Sequence, residues 1–389
     1  MRSLEWIAHL RRKTTSGDWL PEIDGLRFIA ITSVLLYHLQ DQLSRHYDLI
    51  IPGSVKWLAR MFGNGNRGVP LFFVISGFIL ARPFAQHRLF GKTAPSLRKY
   101  FLRRITRLEP PYLLNLAVVA VGISLADHKP WHWILPHLAA SAGYMHYFIY
   151  REPSTINAVA WSLEIEVQFY ILAPVFALMF AIKNSGLRRL LIASVMIAAP
   201  LVQIQAGLSG LTLAGQLQYF FAGLLLADLF LTSMPRWKHH WSWDLVSLAG
   251  WPALFYLGDR MLGLWLPFLA LLLCIAALRG VAMFAVMRNP WIAVTGGMCY
   301  TIYLWHAPLM TFAGRTLAKY PFFAPSNFAL MFSLQGIVKT LVVAAVCLPV
   351  FIFVERPCMD PGWPQKLASR LRTTAGARLL TPPPLEPDS

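Results

Sequence analysis

Residues 261–278 read MLGLWLPFLALLLCIAAL, eighteen consecutive positions without one charged side chain. A helix rising 1.5 Å per residue needs about 20 mostly apolar positions to cross hydrocarbon, so this stretch predicts a membrane span. Working outward, comparable windows occupy 25–43, 68–85, 110–126, 158–182, 190–205, 211–231 and 244–257 before it, and 291–312 and 328–354 after it. The whole chain agrees. Of its 389 residues 56% are hydrophobic and only 14% charged, with a mean hydropathy of +0.50, where a soluble domain carries about a quarter charged residues. The expected class is all-α, a polytopic integral membrane bundle of about ten transmembrane helices. Disordered, fibrous and disulfide-rich secreted classes are excluded by the same composition. The four cysteines, Cys274, Cys299, Cys347 and Cys358, show no metal or redox spacing and read as packing thiols.

The domain reading follows from the windows: an N-terminal cytoplasmic segment 1–24, a transmembrane domain 25–357, and a basic, then proline-rich cytoplasmic tail 358–389, expected to be disordered, with no soluble domain appended. A formal net charge of +17 would suggest nucleic acid for a soluble protein. In a membrane protein it instead asks which side holds the cations. The window 131–150, rich in His, Tyr and Trp, decides the tally. If it does not cross and the N-terminus is cytoplasmic, 24 Lys and Arg lie inside and 9 outside; if it crosses, the count becomes 16 against 17. The positive-inside bias selects the first arrangement, so 131–150 is expected to be interfacial or re-entrant and both termini cytoplasmic. No nucleic acid partner is expected.

Charges inside hydrocarbon are costly and point to function by default. The spans contain Arg27, His38, Glu164, Glu166, Asp228, His306 and Lys339. Arg27 and His38 are eleven residues apart, close to three helical turns, which puts both on one face about 16 Å apart. Glu166 and Tyr170 form an i,i+4 pair, whereas Glu164 lies about 200° round the helix from Glu166. His38, His306 and Glu166 are expected at similar depth, equipment suited to general base catalysis on a hydroxyl, with Glu166 orienting an imidazole. Taken singly, each is more often structural. The stretch 82–107 carries eight cations and no acid. If it is helical, Arg104 and Arg107 share a face and suit phosphate oxygens, with anionic-lipid contact as the alternative reading. Within Leu71-Phe72-Phe73-Val74-Ile75-Ser76-Gly77-Phe78, Ser76-Gly77 suggests close approach of a helix or ligand.

These segments resemble acyltransferase family 3, membrane-bound bacterial enzymes that O-acylate surface carbohydrates and some small molecules. The resemblance rests on ordered motifs: Asp24-Gly25-Leu26-Arg27 leading to His38, the 72–78 segment, Arg104 and Arg107, Trp161-Ser162-Leu163 followed by Glu166 and Phe169-Tyr170, Tyr303-Leu304-Trp305-His306 with Pro308, and Glu355-Arg356-Pro357. Glu164 is an additional carboxylate beside the matching Glu166. The resemblance implies a stand-alone O-acyltransferase of the bacterial inner membrane, taking an acyl group, most commonly from acetyl-CoA, to a hydroxyl of a carbohydrate or glycan precursor at the outer face. His38, Glu166 and His306 would be catalytic, Arg27, Arg104, Arg107 and Ser76 would hold the acyl-CoA, and Trp161, Tyr170, Tyr303 and Trp305 would contact the acceptor. Membrane lipids are expected partners and no metal is expected. The rival reading is a transporter or flippase of an anionic lipid or metabolite. Against it stand the missing internal repeats.

Overall fold

The computed structural model describes residues 10–12, 19–47, 51–259, 261–323, 327–360, 362–366 and 369. Most of segment 1–24 and most of the tail 358–389 lie outside them. Among the described residues all regular structure is helical, and the chain is an all-α polytopic membrane bundle. The helices, in chain order, are α1 Pro21–His46, α2 Lys56–Gly63, α3 Gly68–Phe90, α4 Leu97–Ala126, α5 Trp131–Ala142, α6 His146–Tyr150, α7 Trp161–Phe176 and α8 Ser185–Gln205. There follow α9 Leu213–Thr232, α10 Ser242–Tyr256, α11 Leu262–Arg279, α12 Ala282–Met287, α13 Pro290–Gly297, α14 Cys299–Leu317 and α15 Phe328–Val350.

Seven helical stretches among the described residues are long and apolar enough to cross a membrane, those containing α3, α4, α7, α8, α9, α11 and α15. The other three expected windows are helical in different ways. That at 25–43 lies in the 26-residue α1; that at 244–257 lies in α10, only 15 residues long. The window 291–312 is broken at Met298 into α13 and α14. Gly296 packs there so closely that a side chain would collide with the Asp24 carbonyl of α1. The window 131–150 folds as α5 and α6, 12 and 5 residues long, too short to cross as helix.

Small residues set the central contact. Gly77 of α3 and Gly223 of α9 bring the two backbones together, and a Cβ at Gly223 would lie 2.7 Å from the Gly77 Cα. Close approach of this kind substitutes for the hydrophobic driving force that lipid does not provide between helices. We expect Gly77→Val to destabilise the bundle by about 1–3 kcal/mol through overpacking, seen as a lower Tm in detergent. An unchanged Tm would show that α3 and α9 do not meet there.

A proline sets the second contact. Pro308 lies inside α14 and has no N–H for the Leu304 carbonyl. Two buried amides take the freed oxygen: Asn115 Nδ2 donates at 3.1 Å and Asn157 Nδ2 at 2.9 Å. Asn157 also donates to Asn115 Oδ1 at 2.8 Å. The helix therefore carries a proline at membrane depth without an orphaned carbonyl.

Candidate active site

The site is a column stacked along the bundle, ordered by three antiparallel or parallel pairings. Leu108 and Asn115 of α4 meet Tyr300 and Leu304 of α14, so those helices run parallel. Tyr100 meets Tyr170, and Asn115 meets Asn157 just before α7, so α7 runs against them. The end carrying the 82–107 cations is the basic end; the opposite end holds the imidazoles.

Helix α1 is continuous through Arg27 and His38, so it links the two ends directly. At the far end the His38 and His306 rings lie 4.9 Å apart, centroid to centroid. His306 is fully buried. Its Nδ1 lies 3.1 Å from the Ile302 carbonyl and 2.7 Å from that of Tyr303, and since a carbonyl only accepts, Nδ1 carries the proton. Nε2 is then a lone pair, buried and without a hydrogen-bond partner among the described residues, beside the partly exposed His38. Pinning one nitrogen in this way fixes the tautomer of the other.

Below the imidazoles, Tyr303 bonds Ser162 at 2.7 Å and packs edge-on against Phe72. Trp161 packs against Phe73, and Trp305 is buried with its Nε1 unpartnered among the described residues. One turn further along α7, Glu166 accepts a 2.5 Å hydrogen bond from Ser76, and the Tyr170 hydroxyl bonds the same carboxylate. Arg27 and Arg104 are close enough to interact with that charge.

The basic end holds the guanidinium groups. Arg104 stacks over the Tyr100 ring at 3.7 Å and lies 5.4 Å from that of Tyr170. Arg107 is 4.0 Å from Glu355 Oε1, and its buried Nε has no hydrogen-bond partner among the described residues. Arg103, one position before Arg104, is exposed, whereas Arg104 and Arg107 are partly buried, as their shared-face spacing predicts. Asp24 accepts from Arg12 at 2.8 Å, Arg27 at 2.7 Å and Trp19 at 2.7 Å. Burial, then the neighbouring Arg27 charge, pull Arg12 down to about 10, as crowding of like charges requires.

The structure thus brings His38 to His306, and Arg27 towards Arg104 and Arg107. It does not bring Glu166 to an imidazole. Glu166 lies one turn past Ser162 while His306 lies nearly one turn past Tyr303 in the opposite direction, so roughly 10 Å of bundle depth separates them. The expected similar depth is corrected on that ground: α7 runs against α14, so positions that look equivalent in sequence diverge. Glu164 points elsewhere, as its helical angle demands, and caps the start of α6 by accepting from the Tyr147 N–H at 3.0 Å.

Two residues gained no role from sequence alone. Glu355, fully buried, ends a π-helical turn Phe351–Glu355 and accepts from both the Thr301 N–H (3.1 Å) and hydroxyl (2.5 Å). Asp24 anchors Arg27. Both stood within quoted motifs. The available signals were a carboxylate three residues before a membrane-embedded arginine, and one closing the last apolar window.

A family model described as an acyltransferase domain (family 3) matches residues 20–354. The chain belongs to that family. Among its relatives is the O-acetyltransferase OatA of Staphylococcus aureus, 25% identical over 411 residues, covering 95% of this chain and 63% of that protein. YrhL of Bacillus subtilis, named as a candidate peptidoglycan O-acetyltransferase, is 30% identical over 175 residues, 42% of this chain and 24% of that one. The peptidoglycan O-acetyltransferase OatA of Listeria monocytogenes is 29% identical over 194 residues, 45% and 28% respectively. The chain spans less than two thirds of the length of each of these curated relatives. No solved structure matches it.

Proposed function

We propose that this acyltransferase family 3 chain is an O-acetyltransferase of a bacterial inner membrane, moving an acyl group from cytoplasmic acyl-CoA to a carbohydrate hydroxyl at the opposite face. The observation that carries this is that one unbroken helix, α1, places Arg27 in a cluster of guanidinium groups and His38 in an imidazole pair about 16 Å further on. Arg27, Arg104 and Arg107 would hold the phosphates of the donor at the basic end, forks and stacked faces being suited to phosphate oxygens. His38, the reachable imidazole, takes the proton from the acceptor O–H as its oxygen attacks the thioester carbonyl. The C–S bond breaks and the CoA thiolate leaves, to be protonated from solvent. His306 Nε2 offers a lone pair to the N–H of the imidazolium so formed. Glu166 holds Ser76 and Tyr170 and offsets arginine charge midway, while Trp161, Tyr303 and Trp305 line the approach. Because two of the relatives are named for peptidoglycan, a peptidoglycan-type glycan is the first acceptor to try.

The test is radiolabelled acetyl-CoA added to vesicles holding the protein, with label followed into added glycan and CoA release measured. Label in the glycan is expected. Neither transfer nor CoA release, with acetyl-CoA intact, would overturn the reading and favour transport. In the same assay Arg104→Ala or Arg107→Ala should weaken apparent acetyl-CoA affinity by roughly 10- to 100-fold, the worth of a hydrogen bond to a charged group. Unchanged affinity would return both residues to lipid contact.

A further inference from the structure

One intramembrane charge has no place in that mechanism. Lys339 is 2% exposed, on the face of α15 where Met331, Gln335, Lys339, Val343 and Cys347 recur every four residues. Its ammonium donates to Gln42 Oε1 at 3.0 Å. An ammonium has three donors, and this is the one acceptor found for it among the described residues. No carboxylate pairs with it there; among the described residues Asp41 of α1 is paired with Arg45 and Asp127 with Arg315 of α14. Gly314 of α14 faces the ammonium, and a Cβ there would lie 3.3 Å from Nζ, so no side chain at that position covers it. A buried cation without a counter-ion is expensive to keep. The neighbouring Gln335, by contrast, donates from its Nε2 to both the Tyr47 hydroxyl and the Phe323 carbonyl.

The position of the charge supplies its meaning. Gln42, which tethers it, is one turn beyond His38 on α1, and Gln42 Nε2 in turn donates to Thr311, five residues beyond His306 and exposed. The ammonium therefore sits one to two turns past the imidazole pair, away from the arginine cluster, where an acceptor would arrive.

We infer that Lys339 is the anion-recognition residue of the acceptor subsite, and that the acceptor carries a carboxylate or phosphate about 5–11 Å, one to two helical turns, from the hydroxyl that is acylated. The inference rests on the reading of His38 and His306 as the acceptor end. Two ammonium donors remain for that anion once Gln42 has taken one. A purely structural lysine, held for its tether to Gln42, would make no distinction between acceptors.

Binding to the full chain in zwitterionic nanodiscs, without acetyl-CoA, separates these. The probes are a muramic acid–glucosamine tetrasaccharide with free carboxylates, its methyl ester, and a phosphodiester-linked sugar oligomer. Wild type should bind one of the anionic probes at least roughly 10-fold more tightly than the ester, and which one identifies the anion. Lys339→Met and Lys339→Gln should erase that preference while ester and acetyl-CoA binding stay as in wild type; Lys339→Arg should keep it. The two neutral variants guard against one failing to fold, checked by monodispersity and acetyl-CoA binding. Absence of any anionic preference in wild type, or its survival in both neutral variants, overturns the inference. Because no acyl transfer is measured, failure here is distinct from failure of the vesicle assay.

Discussion

His38→Ala should lower kcat/KM for acyl transfer by about 10²–10⁴-fold, the usual worth of a positioned general base, while leaving membrane insertion and acetyl-CoA binding intact. The geometry predicts this asymmetry. His38 is half-buried on α1 and has a ring neighbour but no structural hydrogen bond among the described residues, so its removal breaks no contact the bundle needs. The donor's anchoring groups lie about three turns away at Arg27 and should not respond. His306→Ala should reduce the rate less, because the proton acceptor remains, but it should also cost stability, since His306 is fully buried and held by two carbonyls. Rates are to be measured with saturating and limiting glycan, alongside Tm. Activity like wild type in His38→Ala refutes the base assignment, whatever His306 does.

The second large effect is structural. Asp228→Ala should cost about 3–5 kcal/mol of stability, the penalty for leaving a buried charge without its partner. Asp228 is fully buried on α9 and accepts from Arg188 Nε and Arg189 Nε, each at 2.6 Å. Arg188 is itself 2% exposed and donates onward to the Ile182 carbonyl, while Arg189 also reaches Thr232 and Ser233. One carboxylate thus ties the start of α8 to the end of α9 through two guanidinium groups. Unfolding in detergent should begin roughly 5–10 °C lower in the variant. The protein that remains folded should transfer acyl groups at the wild-type rate, since the clamp lies outside the column. A lower rate per folded molecule with unchanged Tm would place Asp228 in the function instead.

Asp228 also shows how far a one-dimensional reading reaches. From sequence it stood level with Glu166 and Lys339 as an acid or base where none should be, and the cost of burying charge flagged all three alike. In the structure they separate: Asp228 is neutralised twice over, Glu166 is shared by Ser76 and Tyr170, and Lys339 has, among the described residues, only an amide. The rule found the residues and was silent on their partners. The same holds for Ser76-Gly77, where close approach was legible from residue size, but not that Gly77 meets Gly223 while Ser76 turns to Glu166.

By itself the amino-acid sequence determined the all-α membrane class, the common face of Arg27 and His38, the opposed directions of Glu164 and Glu166, and the family. Each depends on apolar run length, the 100° step of a helix, or motif order, all of which are local along the chain. Only the tertiary structure decided that His38 meets His306, that Glu166 lies a layer away from both, that Glu355 reaches back to Thr301, and that Lys339 meets the Gln42 amide beside the far end. Those outcomes turn on the relative depth, direction and rotation of helices distant in sequence, and the packing of small residues, proline and buried amides between them sets all three.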